Sequence, residues 1–399
     1  MYYSASLLYP GDGPAIPDGW IRVEGGRIAA AGRAADLPQD IPADAIRRFD
    51  GTILPGLVNL HCHLELTTLH DRLAPGKPFP TWVEQLRGYT AGLDHEDYRR
   101  AARVGVERLL AGGCTTVLDV GNTGAALRVL ADSPLRAFGY AETLGLDPAL
   151  AATRFEAARA HAAAIAATGR FRPGVTPHAA YSTSPELLGR LLEEQRARGL
   201  PVTLHAAESR EEAELFTRGT GTLADYCRRI YKDTLRHAGS SPVRWLESQG
   251  LLPDGVVLVH GNTLDEADMD ILARRGATVV HCPSSHRFFG HPRFPYEALR
   301  ARGINVGLGT DSLASGDSLS MLEQMRLFAE SYPDVSTEDV VAMATTNGAR
   351  ALGLGDVGLL KAGYRADFVA IPPSRAIEFN SAVPETVVIK GRPAQVLPA

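Results

Sequence analysis

The chain has 399 residues, 45% of them apolar and 22% charged, which is enough for a large packed core and excludes a disordered or collagen-like protein. Lys and Arg total 41 against 46 Asp and Glu, a net charge of −5 without long runs of one sign, so nucleic acid and anionic membrane are not expected partners. Four scattered cysteines (Cys62, Cys114, Cys227, Cys282) are too few for a disulfide scaffold. Arg, Asp, Gly and Pro break every apolar stretch short of the roughly eighteen residues that a membrane span needs. Met1–Pro10 lacks the basic-then-apolar order of a secretory signal, so a cytoplasmic setting is expected.

In chain order, Tyr2–Tyr9, Trp20–Val23 and Arg27–Ala31 read as short antiparallel strands, the last after a Gly-Gly turn. From Ile53 the pattern changes to apolar runs that alternate with amphipathic stretches. The eight strand candidates are Ile53–His63, Thr115–Val120, Arg136–Glu142, Arg172–His178, Pro201–Ala207, Gly255–His260, Ala277–Cys282 and Ile304–Asp311. Segments between them, such as Pro185–Arg198 and Leu264–Arg275, carry helical spacing. Eight strand–helix units over roughly 260 residues fit a closed (β/α)8 barrel, for which about 250 is typical; an open doubly wound sheet is the alternative. Helical stretches at Ser318–Glu330 and Thr337–Leu352 follow, then strand runs at Phe368–Ile371 and Thr386–Ile389. The expected architecture is α/β: a TIM-type barrel over 53–354 and a small discontinuous β-sandwich domain from 1–52 and 355–399.

Two motifs carry no chemistry. Gly353-Leu-Gly-Asp-Val-Gly358 matches a dinucleotide-binding pattern but lacks the strand before it and the helix after it. A Gly-x-Ser-x-Gly nucleophile elbow is missing from the chain.

The strongest local signal is His61-Cys62-His63 at the end of the first barrel strand. Alternation along a strand puts both imidazoles on one face, which makes half of a metal site or a hydrogen-bonded pair. In a parallel barrel all strand carboxyl ends share one rim, so His205 after the fifth strand and Asp311 after the eighth converge on them. Three imidazoles and a carboxylate suit zinc or ferrous iron with a position open for water. His178 and His260 end the fourth and sixth strands on the same rim. Of twelve histidines, six (61, 63, 178, 205, 260, 281) sit at or near strand ends, a clustering that random placement does not produce.

At this point the chain resembles the amidohydrolase superfamily, in its cytosine deaminase-like and chlorohydrolase-like branch. The resemblance runs from Ile53-Leu-Pro-Gly-Leu-Val-Asn-Leu-His-Cys-His through Thr176-Pro-His178, His205-Ala-Ala-Glu208, Val259-His260, His281-Cys-Pro-Ser-Ser and Gly309-Thr-Asp311-Ser to Gly363-Tyr-Arg-Ala-Asp367-Phe. His61-Cys-His63-Leu-Glu65-Leu, Phe79-Pro-Thr-Trp82 and the helix Ser318–Phe328 are most similar to aminodeoxyfutalosine deaminases of menaquinone biosynthesis. Many relatives carry Asn at the positions of His286 and Gly316.

The resemblance implies one divalent ion per chain, zinc before iron, because the fourth strand has His178 where binuclear relatives hold a carboxylated lysine. His61, His63, His205 and Asp311 are its expected ligands. Such an ion lowers the pKa of a water from 15.7 towards about 7. Asp311 is expected to take the proton from that water, Glu208 to protonate the ring nitrogen beside the attacked carbon, and His260 to orient the water or stabilise the intermediate. His178 and His281 are expected substrate contacts. Glu65 either binds substrate hydroxyls or bonds a ligand histidine, and Trp82 either stacks on the heteroaromatic ring or belongs to the core. His286 is assigned to a loop or to the substrate, whereas His70, His95, His161, His237 and His291 are read as structural or solvated.

The expected activity is hydrolytic deamination of an aminated purine-type ring, 6-amino-6-deoxyfutalosine to futalosine plus ammonia. Methylthioadenosine or S-adenosylhomocysteine, guanine and a chlorinated or aminated triazine are the alternative substrates. A barrel retained only for binding is disfavoured, because it has no use for a complete ligand set. The only expected partner is a small heterocyclic or nucleoside substrate, with a homodimer left open.

Overall fold

The computed structural model describes residues 1–231, 239–373, 384 and 386–394; His237 and part of the C-terminal flank lie outside the described residues. Fifteen strands are described. The flank opens with β1 (Tyr2–Leu8), β2 (Ile16–Glu24), β3 (Arg27–Arg33) and β4 (Ile46–Pro55). The barrel strands are β5 (Leu57–Cys62), β6 (Cys114–Gly121), β7 (Arg136–Thr143), β8 (Phe171–Pro177), β9 (Thr203–Ala206), β10 (Val257–His260), β11 (Thr278–His281) and β12 (Asn305–Leu308). The flank closes with β13 (Phe368–Ile371), β14 (Thr386–Ile389) and β15 (Arg392–Pro393).

Both ends of the chain meet in one sheet of order β15-β14-β13-β4-β1-β2-β3. Its buried face carries Tyr3, Leu8, Ile21, Phe49, Ile53 and Phe368. The sheet curls until its distant turns touch, for a Cβ on Gly391 would lie 2.6 Å from Val23 Cγ1.

The strand expected at Ile53–His63 is in fact two. β4 ends in the flanking sheet, paired antiparallel with β13, and β5 begins the barrel. Gly56 makes the break: its N–H donates to Asp367 O at 2.9 Å, and a Cβ there would sit 2.3 Å from Thr115 Oγ1. The helical stretch at Thr337–Leu352 likewise divides, into Thr337–Met343 and Thr346–Ala351. All four cysteines are buried free thiols, and no described helix is long and apolar enough to cross a membrane.

The barrel consists of two four-stranded parallel half-sheets, β5-β6-β7-β8 and β9-β10-β11-β12. β6 and β7 are buried along their whole length, as expected for parallel strands covered on both faces. A buried cluster including Leu60, Leu118, Phe138, Tyr140, Val259 and Val280 draws side chains from both half-sheets.

Bridges at Cys62–Asp311 and Ala179–His205 join the half-sheets, both at the carboxyl ends of strands. At the first seam the N–H groups of Thr310 and Asp311 both reach His61 O at 3.1 Å. Asn59 reinforces it: Nδ2 donates to Thr310 Oγ1 at 2.8 Å, and Oδ1 accepts from the N–H groups of His61 and Thr310, each at 3.2 Å. At the second seam His205 N–H donates to His178 O at 2.9 Å.

Asn59 is fully buried, so Asn59→Ala removes its three hydrogen bonds to His61 and Thr310 at the seam and should cost about 1–3 kcal/mol in urea unfolding. Wild-type stability in that variant would show that the seam holds without the amide.

Candidate active site

The strand ends bring His61, His63, His178, His205, His260, Asp311 and Glu142 to one rim. Three non-glycine residues there have left-handed backbone, Ala207 at φ 53°, His260 at 74° and Asp311 at 57°. Such conformations are costly for side-chain-bearing residues and persist where the surroundings over-determine them.

Ligand atoms of His61, His63 and His205 lie within 4.8 Å of one another. His61 Nε2 is 3.2 Å from His205 Nε2, and Asp311 Oδ1 is 3.7 Å from the Nε2 atoms of both His61 and His63. The opposite ring nitrogens are the informative ones. His63 Nδ1 faces Val120 O and His205 Nδ1 faces His178 O, both at 3.0 Å. A carbonyl only accepts, so both Nδ1 atoms must carry the proton and both Nε2 atoms present lone pairs to the centre. This donor set, three imidazoles and a carboxylate with two tautomers fixed from behind, fits a divalent transition metal.

Burial opposes ionisation of Asp311, but the adjacent His61, together with His260 and His63, outweighs it and holds the carboxyl well below its ordinary range. Asp311 Oδ1 accepts from Ser312 N at 2.8 Å, while Oδ2 accepts from Ser285 Oγ at 2.7 Å and Ser315 Oγ at 3.0 Å.

Glu208 Oε1 lies 3.5 Å from His260 Nε2. Burial, reinforced by the charges of Asp311 and Glu212, pushes Glu208 well above the usual carboxylate range. Burial drives His260 and His178 down to about 3, so both rings are neutral. Glu142, buried and 3.5 Å from His205 Nδ1, is raised by desolvation to about 7.

A cavity of about 600 Å³ opens over this cluster, with His63, His178, His205, Glu208, His260 and Asp311 in its wall. Trp82 also lines it, and its Nε1 donates to Ala314 O at 2.8 Å. Glu65 reaches the wall, but its carboxylate accepts from the amides of Thr123 at 3.0 Å and Ala126 at 3.3 Å rather than from a ligand histidine.

His281, expected to touch substrate, is not in the cavity wall. Its ring turns away and stacks on Phe294 with centroids 4.1 Å apart. His286 Nε2 lies 2.8 Å from Pro292 O, and a Cβ on Gly316 would come 2.9 Å from Ser284 Oγ. Sequence reasoning missed Glu142 and the wall residues Arg87, Arg154, Tyr181 and Tyr226. Glu142 was within reach, since it ends the third strand candidate and so falls on the rim.

A (β/α)8 barrel with a histidine–carboxylate cluster at its carboxyl rim defines a metal-dependent hydrolase class. The family profile described as Amidohydrolase family matches residues 52–394, and the chain belongs to that family. A 5-methylthioadenosine/S-adenosylhomocysteine deaminase of Natronomonas pharaonis is 31% identical over 364 residues, 87% of this chain and 78% of that one. An aminodeoxyfutalosine deaminase of Deinococcus radiodurans is 32% identical over 366 residues, 88% of this chain and 85% of that one. Among solved structures, Helicobacter pylori aminofutalosine deaminase with methylthio-coformycin aligns at TM-score 0.88 and 21% identity, covering 98% of this chain and 99% of that one. A zinc-bound adenosine deaminase from Xanthomonas campestris aligns at TM-score 0.81 and 25% identity, covering 98% and 92%. The protein is thus an enzyme, a hydrolase of non-peptide C–N bonds of the deaminase kind.

Glu142 supplies a pH test on metal-free protein. Its carboxyl stands at about 7 in the fold against an ordinary 4.5, so the unfolded chain binds fewer protons between those values. The contribution to stability is complete below the lower value and is lost as pH rises through the upper one. Glu142→Gln should flatten that decline by up to about 1.4 kcal/mol per pH unit in denaturant titrations. Identical slopes in the two proteins would contradict the assignment.

Proposed function

We propose that the enzyme converts 6-amino-6-deoxyfutalosine to futalosine and ammonia, a step of menaquinone biosynthesis, in the cytoplasm. In this reading one divalent ion per chain, zinc first, is held by His61, His63, His205 and Asp311. The observation that carries it is the convergence of three histidines and Asp311 beside the Glu208–His260 pair, at one end of a cavity large enough for a nucleoside.

An ion held by His61, His63, His205 and Asp311 would supply a water of lowered pKa as the nucleophile for the amino-bearing ring carbon. Asp311, whose carboxyl stays ionised, accepts the proton that the water gives up. Glu208 enters the reaction protonated and delivers its proton to the ring nitrogen next to that carbon, which makes the carbon electrophilic. Asp311 then passes the water's proton to the amino group, which leaves as ammonia, while the ring nitrogen keeps its new proton and Glu208 takes up the hydroxyl proton as the carbonyl forms. Neutral His260 holds the developing oxyanion and keeps Glu208 in place. His178, its Nδ1 tied to Ser182 Oγ at 2.7 Å, and Trp82 bound the heteroaromatic ring.

Two guanidinium groups in the wall, Arg87 and Arg154, support a substrate with an acidic 5′ extension. Aminodeoxyfutalosine and S-adenosylhomocysteine have such a group and methylthioadenosine has none. S-adenosylhomocysteine is the second reading, favoured by relatives named for that activity at similar identity.

Ammonia release from aminodeoxyfutalosine, S-adenosylhomocysteine, methylthioadenosine, guanine and an aminated triazine separates these readings. Highest kcat/KM on aminodeoxyfutalosine is expected, and a clear preference for another member of the panel would overturn the substrate assignment. Glu208→Gln should retain its metal and lose about 100-fold or more in kcat, whereas a near-normal rate would remove Glu208 from the proton path.

A further inference from the structure

We infer that Glu212 and Asn262 are positioning residues that lock Glu208 in its working conformation. This rests on the deaminase reading, in which Glu208 moves the proton. Glu208 lies between β9 and the helix Arg210–Arg218, directly after Ala207 with its left-handed backbone. A residue in such a connection holds its side chain to a fraction of an ångström only if the peptide groups on both sides of its Cα are fixed.

Both are fixed by side chains. The N–H of Glu208 donates to Glu212 Oε2 at 2.7 Å, and the carbonyl of Glu208 accepts from Asn262 Nδ2 at 3.0 Å. Glu212 lies in the first turn of the following helix, whose cap Ser209 Oγ accepts from Glu212 N at 3.1 Å. In an ordinary capping box the acid reaches back to the amide of the cap residue. Here the Glu212 carboxylate faces the amides of Ala207, Glu208 and Ser209, and its shortest bond, at 2.7 Å, goes one residue further back than the cap, to Glu208 itself.

Asn262 arrives from the neighbouring strand, two residues after His260. Gly261 N–H to Ala206 O at 3.1 Å and Thr263 N–H to Ala207 O at 3.0 Å stitch the ends of β9 and β10 together. The stitch sets Glu208 against His260. Neither Glu212 nor Asn262 lines the cavity, so neither touches substrate. Glu212 is only 1% exposed, an expensive place for an acid when Ser209 already caps the helix. Holding Glu208 accounts for that burial.

The test uses full-length, metal-loaded Glu212→Ala, Glu212→Gln and Asn262→Ala, with kcat and KM for ammonia release from 6-amino-6-deoxyfutalosine and 5′-methylthioadenosine. Metal content and thermal midpoint are measured on the same samples. Glu212→Ala should lose about 100-fold in kcat, with KM within about threefold and metal content unchanged. Glu212→Gln keeps an acceptor for the Glu208 amide and should recover most of the rate. Asn262→Ala should show the same split between kcat and KM, and it decides the matter alone if Glu212→Ala does not fold. Wild-type kcat per metal-loaded chain in these variants, while Glu208→Gln is inactive, would overturn the positioning roles and leave the deaminase reading standing. Failure of the wild-type protein to deaminate any aminated purine nucleoside would overturn both.

Discussion

The barrel closes at the level of its chemistry, and the site depends on that closure. Between β5 and β12 the seam runs through His61 O, the amides of Thr310 and Asp311, and the Asn59 side chain. Between β8 and β9 it runs through His178 O and the amide of His205. Hydrogen bonds that complete the fold therefore set the spacing of the residues that face one another across the centre. His61 and Asp311 are far apart in sequence, so their meeting carries a loop-closure cost that packing across the two half-sheets must offset. The carbonyls of Val120 and His178 do a second job by fixing the tautomers of His63 and His205.

Electrostatics at the rim divide the acidic groups by environment. Asp311, surrounded by serine hydroxyls, an amide and histidines, has its carboxyl pushed well down, whereas Glu208, buried beside other acids, is pushed well up. In the proposed reaction, two carboxyl groups pushed in opposite directions within one cavity supply a proton acceptor and a proton donor at the same pH. The surrounding histidines are kept neutral by burial, which leaves their lone pairs available.

Much of this was legible because strand periodicity and parallel topology together predict which residues share a rim. His61, His63, His178, His205, His260 and Asp311 needed no more than their places at strand ends. The break at Gly56 was not legible, because a continuous apolar run reads alike whether one strand or two adjacent strands use it. His281 failed for a different reason: position at a strand end fixes where the Cα lies, not which way the ring turns, and Phe294 offers it a stacking partner outside the cavity. Arg87 and Arg154 come from helices whose approach to the cavity is a tertiary fact without a local signature. In the proposed reading substrate choice rests on such residues, which is why the reaction class was easier to read than the substrate.

The central claim is that the rim cluster is a single metal centre on which catalysis depends. Its most direct test is metal content per chain measured alongside deaminase activity through chelation and stepwise return of zinc. The account predicts that activity disappears with the metal, returns linearly and saturates at about one ion per chain, and that His205→Ala neither retains the ion nor recovers. Activity that survives complete removal, or that saturates only at two ions per chain, would contradict it.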